Sequence, residues 1–201
     1  MMYYDHAMLG ASLALAAGAH RRHGWPVVVM AALAGMLPDW DALSKHVDPG
    51  SYRAVHRAWG HNFLAAPLAG GLLGACAFLL TRSARARWQP AQLDQKRSEK
   101  SPSHALAVWV ALGVLAALLH LGMDVLYCRC ATAPDWPVAL LWPFSSRGAA
   151  VPLVPFTDRG ATAILAAGLL LAGWWRPGAR LSACLTLLAL AAYVSLRGST
   201  L

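Results

Sequence analysis

The chain has 201 residues, of which 58% are hydrophobic and only 13% charged, with a net charge of +8 and a mean hydropathy of +0.46. Soluble domains carry about 25% charged residues, so composition excludes an ordinary soluble domain and indicates an integral membrane protein. The positive charge lies mostly in short loops beside apolar runs, where it reads as topology and contact with the lipid bilayer; no nucleic-acid partner is expected.

Six apolar segments follow in order, at about 7–19, 25–38, 62–81, 104–127, 158–175 and 180–196. The last four are long enough to cross a hydrocarbon core of about 30 Å, whereas the first two are short for it. The expected fold is therefore an all-α polytopic membrane bundle of about four long transmembrane helices plus a short N-terminal helical pair. We expect a single domain over residues 1–201, ending in a helical hairpin at 161–201. The run from Met8 to Ala19 has no positive stretch before it, so no cleavable signal peptide is expected. Residues 82–103 are polar, basic and Pro-broken, and read as a surface loop. Residues 128–157 contain five prolines together with Trp136, Trp142 and Phe144. Such an irregular segment belongs at the interface or over a cavity. Cys76 and Cys184 lie inside apolar runs and read as small core residues. The four cysteines form neither a zinc-ribbon spacing nor a disulfide framework.

Basic residues orient the segments. Arg21, Arg22, Arg82, Arg85, Arg87, Lys96, Arg97, Lys100, Arg176 and Arg180 fall on one side. Lys45, Arg53, Arg57, Arg129, Arg147, Arg159 and Arg197 fall on the other. The positive-inside rule places the first set, including the 82–103 loop, in the cytoplasm. The expected location is a bacterial inner membrane.

The unusual polar residues then gather at the opposite face. His120 and Asp124 are four apart at the end of the longest apolar run, so on a helix they share one face. An ionisable pair in such a helix is a functional-site hypothesis by default; the bland alternative is a hydrogen-bonded pair joining helices. His6 opens the first segment, Asp39 and Asp41 close the second, and His56 and His61 precede the third. All seven fall at one membrane face, and one divalent metal site accounts for them together. Asp39 or Asp41 is alternatively a turn or cap residue. His56 and His61, five apart, do not share a helix face; both are candidate ligands, and at least one of the pair is expected to bind metal. Arg57 and Arg147 read as ordinary loop charges, or as groups that grip an anionic substrate. Trp142-Pro143-Phe144 reads as an interfacial anchor. Imidazole plus carboxylate without thiolate favours zinc, with manganese as the other choice.

The order His6-xxx-Gly10, Leu37-Pro38-Asp39-x-Asp41, His56-Arg57-xxx-His61, His120-xxx-Asp124 and Trp142-Pro143-Phe144 resembles the YdjM-like family of membrane-bound, metal-dependent hydrolases over about residues 5–160. More distantly it is similar to the helical zinc-dependent phospholipases C and single-strand nucleases. The resemblance implies that Asp39, one of His56 or His61, His120 and Asp124 bind a first metal, and that His6 with a bridging Asp124 helps to hold a second. Gly60 and Asn62 replace the hydroxyl residues usual beside the second histidine. The later His…His…Glu ligands have no counterpart, since the only glutamate is Glu99, so one or two ions are expected.

The resulting expectation is a hydrolase that cleaves a phosphoester in a lipid or lipid-linked substrate with metal-activated water. Its site faces the periplasm or exterior, Asp41 or Asp39 orients the water, and Arg57 or Arg147 stabilises developing charge. The alternatives are a non-enzymatic membrane protein with a structural, closed metal site and a small transporter, which should carry its ionisable residues near mid-membrane.

Overall fold

The computed structural model describes residues 1–48, 50, 52–88, 102–130 and 134–199. Among them the protein is helical, with no strand beyond two isolated bridges, Arg129 with Pro155 and Val138 with Ala149. The elements are α1 (Tyr3–Ala16), α2 (Ala19–His23), α3 (Pro26–Met36), a 3-10 turn (Leu37–Leu43), α4 (Ser44–Val47), α5 (Tyr52–Val55), α6 (Ala65–Trp88), α7 (Pro102–Leu126), α8 (Gly160–Trp174), a second 3-10 turn (Arg176–Gly178) and α9 (Ala179–Ser199).

Among the described residues, four helical runs are long and apolar enough to cross a membrane: Pro26–Val47, Ala65–Ala84, Pro102–Leu126 and Arg176–Ser199. The second apolar segment is therefore longer than it reads. Pro38 has no N–H to give and disrupts the α-ladder, but the chain continues as a 3-10 turn and then as α4 instead of stopping. The fifth apolar segment yields only the 15-residue α8. Helix α6 runs on through Arg82–Trp88, part of the stretch read as loop, because Ala and Arg are strong helix formers. Residues 89–101 of that loop lie outside the described residues.

The N-terminal helix is also more central than its length suggests. It packs against α3, α7, α8 and α9, so α1 pairs with α3 and is also a buried strut of the bundle. Small residues make this possible. A Cβ on Gly10 would run into the Ala31 carbonyl of α3, and one on Gly35 would run into the His6 carbonyl of α1. Gly70, Gly74 and Gly113 bring α6 and α7 into the same backbone contact. Between membrane helices, such close approach supplies the packing that apolar transfer cannot. Cys76 does not join the core: it is exposed on α6, and Cys184 is half-buried. All four thiols are free.

At one end of the bundle the basic turns are tied together. Arg21 donates to the Pro177 carbonyl (2.9 Å) and Arg180 to the Ala16 carbonyl (3.1 Å). At the other end the irregular segment after α7 folds back over the helices. Its backbone is satisfied by neighbours: Ala139 N–H donates to the Arg57 carbonyl, Phe63 N–H to Leu140, and Val151 N–H to Val125. Trp142 and Phe144 stay exposed at its surface.

Candidate metal centre

The end covered by this segment gathers the polar residues. Helix α1 brings His6, the 3-10 turn brings Asp39 and Asp41, the turn after α5 brings His56 and His61, and α7 brings His120 and Asp124. Among the described residues, three groups have ligand atoms all within 4.8 Å of one another: His6–Asp39–His120, Asp39–His56–His61 and His61–His120–Asp124. They overlap, so they form one cluster.

Asp41 organises the turn. Its Oδ1 accepts from His56 Nδ1 (2.6 Å), and its Oδ2 accepts from His61 Nδ1 and from the Gly60 N–H (both 3.0 Å). A buried carboxylate that accepts from both Nδ1 atoms fixes both rings in the tautomer that leaves Nε2 as a lone pair. Those Nε2 atoms lie 4.0 Å (His56) and 3.3 Å (His61) from Asp39 Oδ1. Asp41 is thereby occupied in holding ligands, and Asp39 is the carboxylate left to face the site. Both histidines of the candidate pair reach it. The five-residue spacing is not helical here: Arg57 takes a left-handed conformation (φ 68°), which turns the chain between them. Gly60 completes the turn, since a Cβ there would run into the Pro38 carbonyl and lie 2.9 Å from Trp40 Nε1.

His120 is oriented by a backbone group that no sequence pattern marks. Its Nδ1 donates to the Gly35 carbonyl (2.7 Å), so its Nε2 also presents a lone pair. That Nε2 lies 3.0 Å from His61 Nε2, 3.8 Å from Asp39 Oδ1 and 3.7 Å from Asp124 Oδ2. Two imidazole lone pairs at this separation repel unless a cation or a proton lies between them. The same demand for positive charge appears at His61. Burial alone would lower its pKa, yet hydrogen bonds to Asp124, Asp39 and Asp41 hold it well above the ordinary value. His6 stacks on His120 with ring centroids 3.6 Å apart, and its Nε2 meets Asp124 Oδ1 at 3.1 Å. Its Nδ1 is buried with no hydrogen-bond partner among the described residues. The Met1 amino group lies 3.4 Å from the same Asp124 oxygen.

The two arginines fare differently from each other. Arg57 is buried and spent on the end of α7. Its guanidinium donates to the carbonyls of Trp136 (2.6 Å), Asp124 (3.4 Å) and Tyr127 (3.4 Å), and its Nε lies 3.4 Å from Asp124 Oδ2. A cation on the free carbonyls of a helix C-terminus is well placed, so Arg57 positions Asp124 while bordering the cleft. Arg147 is not brought to the cluster: it is exposed, and its side chain lines no part of the cleft. Asn62, which departs from the hydroxyl residue usual beside the second histidine, has a structural role instead. It caps α6, its Oδ1 accepting from Leu64 N–H (3.0 Å) and Ala65 N–H (2.7 Å); the signal was an Asn just ahead of an apolar run.

A cleft of about 410 Å³ reaches the cluster and is bordered there by Asp39, His56, Arg57 and Asp124. A profile of the YdjM inner membrane protein family matches residues 1–200. The chain belongs to that family. No curated protein and no solved structure matches it. Membership and the four apolar spans make this a multi-pass membrane protein, and the buried His and Asp groups could hold a metal ion.

Proposed function

We propose that the chain is a membrane-bound, metal-dependent hydrolase acting on a phosphoester in a lipid or lipid-linked substrate. The donor set fits a divalent ion. His61 and His120 face one another through Nε2 with both Nδ1 atoms taken, and Asp39 and Asp124 lie beside them. No thiolate is present, which favours zinc or manganese. The overlapping groups Asp39–His56–His61, His61–His120–Asp124 and His6–Asp39–His120 would supply the ligands of one or two ions, with Asp39, His61 and His120 shared between groups. When bound, the metal supplies a polarised phosphoryl oxygen and water of lowered pKa. The protein's own part is to fix the ligands: Asp41 sets the tautomers of His56 and His61, the Gly35 carbonyl sets that of His120, and Arg57 holds Asp124.

The observation that carries the reading is the cleft. Asp39, His56 and Asp124 border it, so the cluster is reachable from outside, as a catalytic site with an open coordination position requires. A structural site would be coordinatively closed. A transporter is disfavoured because the ionisable residues sit at helix ends. By the charge bias of the turns, the site faces the periplasm or exterior.

The test is elemental analysis of purified protein, followed by turnover assays on phospholipids and lipid diphosphates. His120→Ala and Asp124→Ala should each lower bound metal and abolish turnover while the bundle still assembles. Intramembrane polar contacts are worth only about 0.6–2 kcal/mol each, so packing should carry assembly. Fully metallated wild-type protein without activity on any of these substrates would defeat the enzyme reading in favour of a structural metal site.

A further inference from the structure

The cleft has two unlike ends. At its floor are the carboxylates of Asp39 and Asp124. Its rim carries Met2, Tyr3, Trp40 and Leu43, all exposed. Exposure of apolar side chains continues along the same run to Val47, which is 88% exposed. A contiguous apolar rim around a polar floor marks a lipid or ligand contact. The volume, about 410 Å³, is near the small end of the roughly 300–1,000 Å³ range of ligand pockets. It accommodates a head group and the start of one chain, and leaves the rest of an amphiphile outside along the rim.

Two cationic side chains border the cleft among the described residues, Arg57 and Lys45, besides the Met1 amino group, which lies against Asp124. Arg57 is committed to the carbonyls at the end of α7. Lys45 is exposed and makes no hydrogen bond or ion pair among the described residues. It stands on α4, two residues after Leu43, and lines the same cleft as Trp40 and Leu43, where it meets negative charge on a ligand whose chain crosses that rim. We propose that the cleft takes an anionic lipid phosphate from the plane of the membrane, with Lys45 as the specificity-determining residue for its head group and Trp40 and Leu43 as the apolar passage for its chain. This rests on the hydrolase reading only for what happens to the phosphate afterwards.

The experiment is a calorimetric titration of the full-length, zinc-loaded protein in maltoside micelles. The probes are the phosphonate analogue of lysophosphatidic acid, which resists hydrolysis, lysophosphatidylcholine as the zwitterionic lipid, and propylphosphonate as a head group with almost no chain. Wild-type protein should bind the anionic lipid about five- to tenfold more tightly than the zwitterionic one, the size expected for one interfacial lysine. Lys45→Glu should erase that preference, and Lys45→Arg should keep it. Leu43→Asp should weaken both lipids and leave propylphosphonate unchanged. A preference that survives Lys45→Glu would overturn the proposal, as would propylphosphonate binding as tightly as the lipid. Lipid binding of the expected pattern with no turnover of any phosphoester would sink the hydrolase reading and leave this one standing. Turnover that is indifferent to Lys45 and Leu43 would do the reverse.

Discussion

Asp41→Asn should cost metal affinity although Asp41 faces no metal position itself. An amide keeps the shape of the carboxylate but offers only one acceptor oxygen. That oxygen belongs where two donors meet it, at the position of Oδ2, which now serves His61 Nδ1 and the Gly60 N–H. The amide NH2 is then left facing His56 Nδ1, which lies 2.6 Å from Oδ1 in the native protein. A donor cannot face a donor, so His56 must move its proton to Nε2, and that nitrogen ceases to be a ligand. The loss of a carboxylate behind a ligating histidine costs about 10- to 100-fold in metal affinity. Because a whole ligand is lost here, we expect the upper end, about 100-fold or roughly 2.7 kcal/mol. His56→Ala should then cost little more in the Asp41→Asn background than Asp41→Asn alone, since the same ligand is removed twice. Competition with a chromophoric zinc chelator on the detergent-purified proteins measures all four corners of this cycle. Unchanged affinity in Asp41→Asn, or fully additive losses in the double variant, would refute the assigned tautomers.

Gly60→Ala forces a Cβ against the Pro38 carbonyl and Trp40 Nε1; it should destabilise the protein by about 1–3 kcal/mol and lower bound metal, read by thermal unfolding and elemental analysis. Asp158 accepts from the Tyr193 hydroxyl (2.6 Å), the Gly160 N–H (2.8 Å) and Arg197 (3.0 Å). Burial would raise its pKa, but these partners outweigh burial and hold it below the ordinary carboxylate value. A depressed pKa contributes stability above the unfolded value, about 3.9, that is lost as pH falls through the folded one. The Tm deficit of Asp158→Asn should therefore be full at pH 7 and shrink below about pH 4, and a deficit independent of pH would contradict this. In a cysteine-free background, Lys45→Cys in intact cells should react with a membrane-impermeant maleimide and Arg22→Cys should not; the reverse pattern would place the site in the cytoplasm.

Local pattern made a good part of this protein legible. Apolar runs announced helices, and the i, i+4 spacing of His120 and Asp124 placed both on one face of α7. Alternation of the segments across the membrane then brought His6, Asp39, Asp41, His56 and His61 to the same end as that pair. These inferences need only the period of a helix and the length of a bilayer, which are properties of neighbouring residues.

What each polar atom faces was decided by packing across long sequence separations. Asp39 and Asp41 are indistinguishable as letters. Asp41 became the support because the αL turn at Arg57 and the close approach at Gly60 aim two imidazoles at its oxygens. The Gly35 carbonyl orients His120 across 85 residues, and His6 reaches Asp124 across 118. Arg57 and Arg147 read alike in sequence, yet one is drawn under the end of α7 and the other stays on the surface. Even the reach of α3 through Pro38 to Val47, and the central place of the short α1, depended on glycine contacts between helices. A proline or a 14-residue run by itself predicts an end. It is the backbone packed against Gly10, Gly35 and Gly60 that turns these local interruptions into the walls of a site.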